Sequence, residues 1–210
     1  MQNMEDKHKD FAKDELLEHQ MAYNPLEQLQ FWLQEASLKA KEPTAMTLAT
    51  AAAKGRPSAR IVYLKGFKEG GLLFYTNYQS RKGKDLESNP YASITFFWPE
   101  LERQVRIEGK TQKIPAWESE AYFESRPLAS RIGAWVSEQS SVIDSRGVLE
   151  RRRAYYEERF ANKRIRRPKH WGGYVLHPDY YEFWQGRPGR LHDRIAYVFN
   201  NHRWEMKRLA

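Results

Sequence analysis

The sequence predicts a mainly β, α+β fold, an antiparallel sheet with flanking helices, and three observations carry that prediction. Short runs rich in β-branched and aromatic residues recur between glycine, asparagine and proline turns, as in Arg60-Ile-Val-Tyr-Leu-Lys65 and Gly71-Leu-Leu-Phe-Tyr-Thr76. Gln104, Arg106 and Glu108 alternate with Val105 and Ile107, the period of a strand with one face on a core. A few segments instead carry apolar residues at helical spacing behind a cap or a first-turn proline.

Residues 1–22 are rich in Lys, Asp, Glu and His and read as a mobile N-terminal arm, leaving 23–210 as a single domain. Asn24 and Pro25 form an N-cap and first-turn proline, and Leu26, Leu29, Leu33 and Ala36 give the following helix its core stripe, to about Lys41. Strands are expected over Ala45–Thr50, Ser58–Lys65 and Leu72–Thr76, joined as a meander. Ser80 reads as the N-cap of a helix to Ser88. Tyr91–Trp98 and Glu102–Ile114 form a hairpin around Pro99-Glu100, with Gln104 a candidate ligand contact. Helices follow from Pro115 to Ser125, from Leu128, and over Gly147–Phe160, the last with Val148, Tyr155 and Phe160 inward. The chain closes with strands at Gly172–Leu176, Tyr180–Gln185, Leu191–Phe199 and Arg203–Arg208.

Composition narrows the function classes. The 210 residues are 40% hydrophobic and 14% aromatic, enough for one well-buried domain. A net charge of +8 favours anionic partners: phosphorylated metabolites, nucleic acid or anionic membrane. With no cysteine, disulfides, thiolate catalysis and zinc-thiolate or iron–sulfur sites are excluded. The charged start has no secretory h-region and no apolar run reaches membrane-spanning length, so a cytoplasmic protein is expected. Dinucleotide, P-loop, zinc-protease and nucleophile-elbow motifs are all missing.

Cations and hydroxyls gather in three places. Ser80-Arg81-Lys82 at a helix start offers backbone N–H groups and two charges to an anion. Arg60 and Lys65, five apart, point to opposite faces of a regular strand unless a bulge or strand end intervenes, which hints at two neighbouring phosphates. Tyr122, Arg126 and Ser130, spaced four and four around Pro127, form a second phosphate grip across a kink, or a helix surface with a snorkelling arginine. Near the end, period two puts Arg190, His192 and Arg194 on one face, lining a cavity, with Leu191, Ile195, Tyr197 and Phe199 opposite. The cations of Arg151–Arg153 and Lys163–Lys169 read as a solvated basic face or, alternatively, a nucleic-acid surface.

Taken together, Arg60 to Lys65, Tyr75-Thr76, Ser80-Arg81-Lys82, Gln104, Tyr122, Arg126, Ser130, Gln139-Ser140 and the long run Glu182-Phe-Trp-Gln-Gly-Arg-Pro-Gly-Arg-Leu-His-Asp-Arg194 resemble the pyridoxine/pyridoxamine 5′-phosphate oxidase family, in family order from about residue 24 onward. The resemblance implies an FMN-binding split β-barrel, assembled as a homodimer with flavin at the subunit interface. It implies oxidation of pyridoxamine and pyridoxine 5′-phosphates to pyridoxal 5′-phosphate, with oxygen reduced to hydrogen peroxide. Implied FMN contacts are Arg60, Lys65, Tyr75, Thr76, Arg81, Lys82, Gln104, Gln139, Ser140, Trp184 and Arg194. Implied substrate contacts are Lys65, Tyr122, Arg126 and Ser130 for the phosphate, with Arg190 and His192 at the ring as the catalytic pair; no metal and no specific nucleic acid are implied. In the arm, His8 and Phe11 stand where family members often have arginine and tyrosine. The rival within the fold is another split-barrel FMN oxidoreductase.

Overall fold

The computed structural model describes residues 11–210, so His8 lies outside the described residues. Nine strands and five α-helices follow in the order α1 (Pro25–Lys39), β1 (Ala45–Ala51), β2 (Pro57–Tyr63), β3 (Gly66–Lys68), β4 (Gly71–Asn77), α2 (Arg81–Ser88), β5 (Tyr91–Trp98), β6 (Arg103–Lys113), α3 (Ala116–Ser125), α4 (Leu128–Val136), α5 (Arg146–Arg159), β7 (Trp171–Gln185), β8 (Asp193–Asn200) and β9 (Arg203–Leu209). The sheet runs β2-β1-β5-β6-β7-β4-β3, with β8 on β7 and β9 on β8. The expected meander is therefore corrected: β4 pairs with β3 and β7, antiparallel to both, and β2 and β3 sit at opposite ends of the strand order.

The chain divides into two compact units. Among the described residues, unit 1 comprises 11–48, 93–109 and 178–210; unit 2 comprises 49–92 and 110–177.

In unit 1 the Asn24 side chain accepts from the Leu26 N–H and Pro25 sits at the first turn, so α1 starts where its cap dictates. Its buried stripe includes Trp32, which meets Phe183 edge-on at 5.1 Å, as well as Leu29 and Ala36. Phe183, Tyr181, Ile195 and Tyr197 are essentially fully buried, each such side chain contributing about 1.5–3 kcal/mol. Leu191, expected on the apolar face, is instead 84% exposed, because β8 begins only at Asp193. Of the arm, residues 11–22 are described and are held by hydrogen bonds to Glu102, Asp193 and Arg208, among others.

In unit 2, Phe123, Ile132, Val136, Ile165 and Trp171 form a core against which Leu149, Tyr156 and Phe160 of the α5 region pack. Tyr155, expected inward, is 53% exposed; the helix turns Leu149 and Tyr156 to the core instead. Ser80 caps α2 by accepting from the Gly83 N–H at 3.3 Å. A Cβ at Gly83 would lie 2.1 Å from the Tyr78 carbonyl oxygen, so only glycine lets this helix start approach so closely. The two strands expected over 172–185 are one, β7. On one side its partner changes from β4, up to Leu176, to β8, from Tyr180, so Pro178 falls where neither of these ladders needs its missing N–H. No helix among the described residues is long and apolar enough to cross a membrane.

Candidate active site

Unit 2 contains a cleft of about 680 Å³ walled by the ends of β2 and β4, by α3 and α4 and by Trp171. Strand β2 stops at Tyr63, and the chain then bends through Lys65 and Gly66, the latter at φ 141. This strand end is the interruption that residue parity required, and it turns Lys65 into the cleft. Arg60 is not among the lining residues. Its Nη1 donates to Thr50 Oγ1 at 2.8 Å and its Nη2 to Ser58 Oγ, while Asp85 Oδ2 lies 4.0 Å away. Asp85 is buried and accepts from both hydroxyls, so the cluster fixes Arg60 beside the start of α2.

Lys82, the second residue of α2, does line the cleft and donates to Gln139 Oε1 at 3.1 Å. Its ammonium pKa is lowered, first by burial and then by the nearby Arg60 charge. Thr76 Oγ1 reaches the same Gln139 oxygen at 3.4 Å, so β4, α2 and the 137–140 loop meet around one amide. Arg81 and Ser140 do not line the cleft, although Ser140 sits in its loop at φ 74.

Opposite, α3 ends at Ser125 and Arg126 is already extended, with Pro127 preceding α4. Helical continuity is thus broken, yet Tyr122, Arg126 and Ser130 all face the cleft with Lys65. Tyr122 stacks on Tyr75 at 3.9 Å, and Arg126 lies over the Trp171 ring at 4.5 Å. Burial pushes the Tyr75 phenol up to about 12 and raises Tyr122, while it lowers Arg126. Arg126 Nη1 is buried and has no hydrogen-bond partner among the described residues. A buried guanidinium N–H left unmet in a cleft with a second cation and two hydroxyls is a donor set for a doubly charged oxyanion. Trp171, the aromatic floor beneath Arg126, was missed; a Trp-Gly-Gly strand start carries no local sign of what it will lie against.

Unit 1 contains a second cleft, of about 600 Å³, lined by Gln104, Arg106, Glu182, Trp184, Arg190, His192, Arg194 and the last residues of the chain; Leu191, expected on the opposite face, lines it as well. The sequence expectation that Arg190, His192 and Arg194 converge holds, but for a different reason. Arg190 lies in a 3-10 turn (Pro188–Arg190) at φ 63, and only Arg194 is on a regular strand. His192 Nδ1 lies 3.0 Å from the Arg187 backbone nitrogen. A backbone N–H can only donate, so Nδ1 accepts and the neutral ring carries its proton on Nε2. Arg194 is held by Glu182 at 2.9 Å and donates to the Ala210 oxygen at 2.7 Å. Glu182, with a side chain 3% exposed, also pairs with Arg106 at 2.9 Å and accepts from Tyr180 at 2.9 Å. It is the hub of this cleft, and only its place within the long signature run marked it.

Among the described residues no group of three His, Cys, Asp or Glu side chains could hold a metal ion. Several cations of the basic stretch are paired: Arg152 with Glu138, Arg153 with Glu157, Arg164 with Glu124 and Arg167 with Glu120.

Comparisons with known proteins converge. Residues 33–159 match the family model described as pyridoxamine 5′-phosphate oxidase, and residues 171–210 match the pyridoxine 5′-phosphate oxidase C-terminal dimerisation region. Proteins named pyridoxine/pyridoxamine 5′-phosphate oxidase from Acaryochloris marina and Burkholderia multivorans are 49% and 53% identical, covering 99% and 95% of this chain and 95% of each relative. Among solved structures, PhzG from Burkholderia lata, in complex with tetrahydrophenazine-1-carboxylic acid, superposes with a TM-score of 0.87 at 28% identity, over 94% of this chain and 98% of that one. A pyridoxamine 5′-phosphate oxidase-related, FMN binding protein from Nostoc punctiforme gives 0.67 at 19% identity, over 93% and 98%, a likeness of fold. The fold is the antiparallel split barrel that the family resemblance implies.

Proposed function

The chain belongs to the pyridoxamine 5′-phosphate oxidase family, and from that premise we propose that it is an FMN-dependent oxidase converting pyridoxamine and pyridoxine 5′-phosphates to pyridoxal 5′-phosphate. The observation that carries the reading is the buried Arg126 Nη1, without a hydrogen-bond partner among the described residues, beside Lys65, Tyr122 and Ser130. These four side chains suit the substrate's phosphate, which is dianionic near neutral pH and needs several donors.

FMN fits the other end of the same cleft. Lys82 lines it and Arg60 and Arg81 stand close enough to influence each other's charge, an arrangement suited to the flavin phosphate. Tyr75, Thr76, Gln139 and Ser140 supply further contacts, and family membership assigns Gln104, Trp184 and Arg194 to the flavin as well. When bound, FMN supplies the redox chemistry, taking two electrons from the substrate's C4′ carbon and passing them to oxygen, which leaves as hydrogen peroxide. The protein's share is orientation: the phosphate grip fixes one end of the substrate, and family membership assigns Arg190 and His192, with its Nε2–H, to the pyridine ring. For the amine, water then replaces nitrogen at C4′ and ammonia is released.

The match to a dimerisation region supports a homodimer with FMN at the subunit interface. So does apolar surface at the cleft's wall: Ile61 and Tyr63 of β2, which line it, are 62% and 44% exposed and suited to being covered by a partner.

The deciding experiment bleaches the flavin of the FMN-loaded protein anaerobically with pyridoxamine 5′-phosphate and measures peroxide on re-aeration. Parallel samples receive NADH or a reduced phenazine carboxylate. Rapid bleaching by pyridoxamine 5′-phosphate alone is expected. Bleaching only by the phenazine carboxylate would reassign the substrate, and bleaching only by NADH would make the protein a flavin reductase.

A further inference from the structure

One buried carboxylate is used for neither cleft. Glu102, 2% exposed, stands at the end of the β5–β6 turn in the left-handed region, φ 56, where a residue other than glycine is strained. Its Oε2 accepts the backbone N–H groups of Ala12 and Lys13 at 2.9 and 3.1 Å, and its carbonyl accepts the Gly186 N–H at 2.8 Å. One residue therefore ties the arm to the segment that leads into His192. Arg103 repeats the link: it pairs with Asp14 at 2.7 Å and donates to the Gln185 side chain at 2.8 Å. What the tether delivers is Phe11. Its ring sits 5.6 Å from Trp184 and 5.8 Å from His192, which lie 4.7 Å from each other. Gly186 leaves the room, since a Cβ there would come within 2.6 Å of the Phe11 ring.

We propose that Glu102 is a positioning residue for the reaction: by holding residues 12 and 13 it seats Phe11 on Trp184 and His192 and so fixes the imidazole plane presented to the substrate ring. Two geometric costs, a buried carboxylate and a left-handed backbone, are accepted at a residue that bonds both the arm and Gly186 of the signature segment. His192 is held from below by the Arg187 N–H and from the side by Phe11, leaving Nε2–H as the atom free to act. The proposal rests on the oxidase reading above.

The test uses the full-length, FMN-loaded protein and the variants Glu102→Gly, Glu102→Gln, Phe11→Ala and the double variant Glu102→Gly/Phe11→Ala. Glycine removes the carboxylate and relieves the φ strain, and glutamine keeps an acceptor oxygen. Glu102→Gly should speed amide exchange at residues 12 and 13 and lower kcat for pyridoxamine 5′-phosphate about tenfold, the scale of a lost charge-assisted contact. KM, set by the phosphate grip, and FMN affinity should stay put. Phe11→Ala should match that loss, the double variant should fall no further, and Glu102→Gln should restore most of kcat. Wild-type kcat in Phe11→Ala, or losses that multiply in the double variant, would overturn the proposal; Phe11→Ala and Glu102→Gln decide it even if Glu102→Gly does not fold. Should the wild-type protein not oxidise pyridoxamine 5′-phosphate, the oxidase reading fails by itself. The tether is then judged by exchange at residues 12 and 13 and by the His192 Nε2–H resonance, and if neither moves in Glu102→Gly it is refuted as well.

Discussion

The two clefts differ in how their cations are matched. In unit 1, Arg106 and Arg194 share the buried Glu182, and Arg208 pairs with Glu18 and Asp193. In unit 2, Arg126 keeps a buried nitrogen without a partner, and Lys82 meets a neutral amide, with no ion pair to either among the described residues. Desolvated cations without counterions are costly, and the lowered pKa values of Arg126 and Lys82 record that cost. A fold retains such cost where a ligand brings the missing charge. The unit 2 cleft thus has the character of an anion site, whereas in the unit 1 cleft Arg106, Arg194 and Arg208 are already paired with carboxylates.

The largest break in this contrast should come from Arg126→Ala. It removes donors aimed at the substrate phosphate, and kcat/KM for pyridoxamine 5′-phosphate should drop by about a hundredfold or more, with FMN affinity kept. Steady-state kinetics at saturating FMN measures this; an unchanged kcat/KM would remove the phosphate from this end of the cleft. Next is Lys82→Ala, for which FMN titration of the apo-protein should show a loss of about ten- to hundredfold. Arg60→Ala should weaken FMN as well, and it should also lower Tm, because Asp85 loses its cation. Equal Tm losses in both variants would put Lys82 in the same structural role as Arg60.

Arg190 and Arg194 test the other cleft. Arg190→Met should leave FMN binding intact and reduce kcat/KM by about tenfold, whereas Arg194→Met should weaken FMN and lower Tm, since Glu182 then keeps only Arg106 and Tyr180. FMN titration and melting curves separate the two. If Arg190→Met releases the flavin and Arg194→Met affects only turnover, the two roles are reversed.

Much of this arrangement was legible locally. Caps at Asn24 and Ser80, strand alternation around Val105 and the clustering of cations are short-range signals, and each element formed near its expected bounds. What was not legible depends on distant partners. Arg60 is engaged by Asp85, twenty-five positions on, and no local pattern distinguishes an arginine with a counterion from one that awaits a ligand. Trp171 under Arg126 and Glu182 beneath Arg194 belong to the same class. The Arg190–Arg194 segment shows the converse: strand parity predicted the right convergence, but a 3-10 turn produces it, because Pro188 and Gly189 bend the chain before β8 begins.

The smallest expected effect separates the clefts by pH. Lys82 has its pKa lowered, first by burial and then by Arg60, so its ammonium deprotonates earlier on raising pH than an ordinary lysine near pH 10.4. The charged form is the one that binds a phosphate. FMN affinity should therefore be full at neutral pH and decline as pH rises through the lowered Lys82 value, by a few-fold at first and about tenfold once the charge is gone. Lys82→Arg keeps its charge across this range and should remove the decline, even if its affinity at neutral pH is somewhat lower. Tyr75 provides an upper marker: its phenol is pushed to about 12, above its unfolded value near 10, so its contribution to stability is complete below pH 10 and is lost only as pH rises from there toward 12. FMN release that precedes any loss of structure, and disappears in Lys82→Arg, would tie the flavin phosphate to Lys82. Release that coincides with unfolding in both proteins would assign the alkaline loss to the tyrosine stack instead.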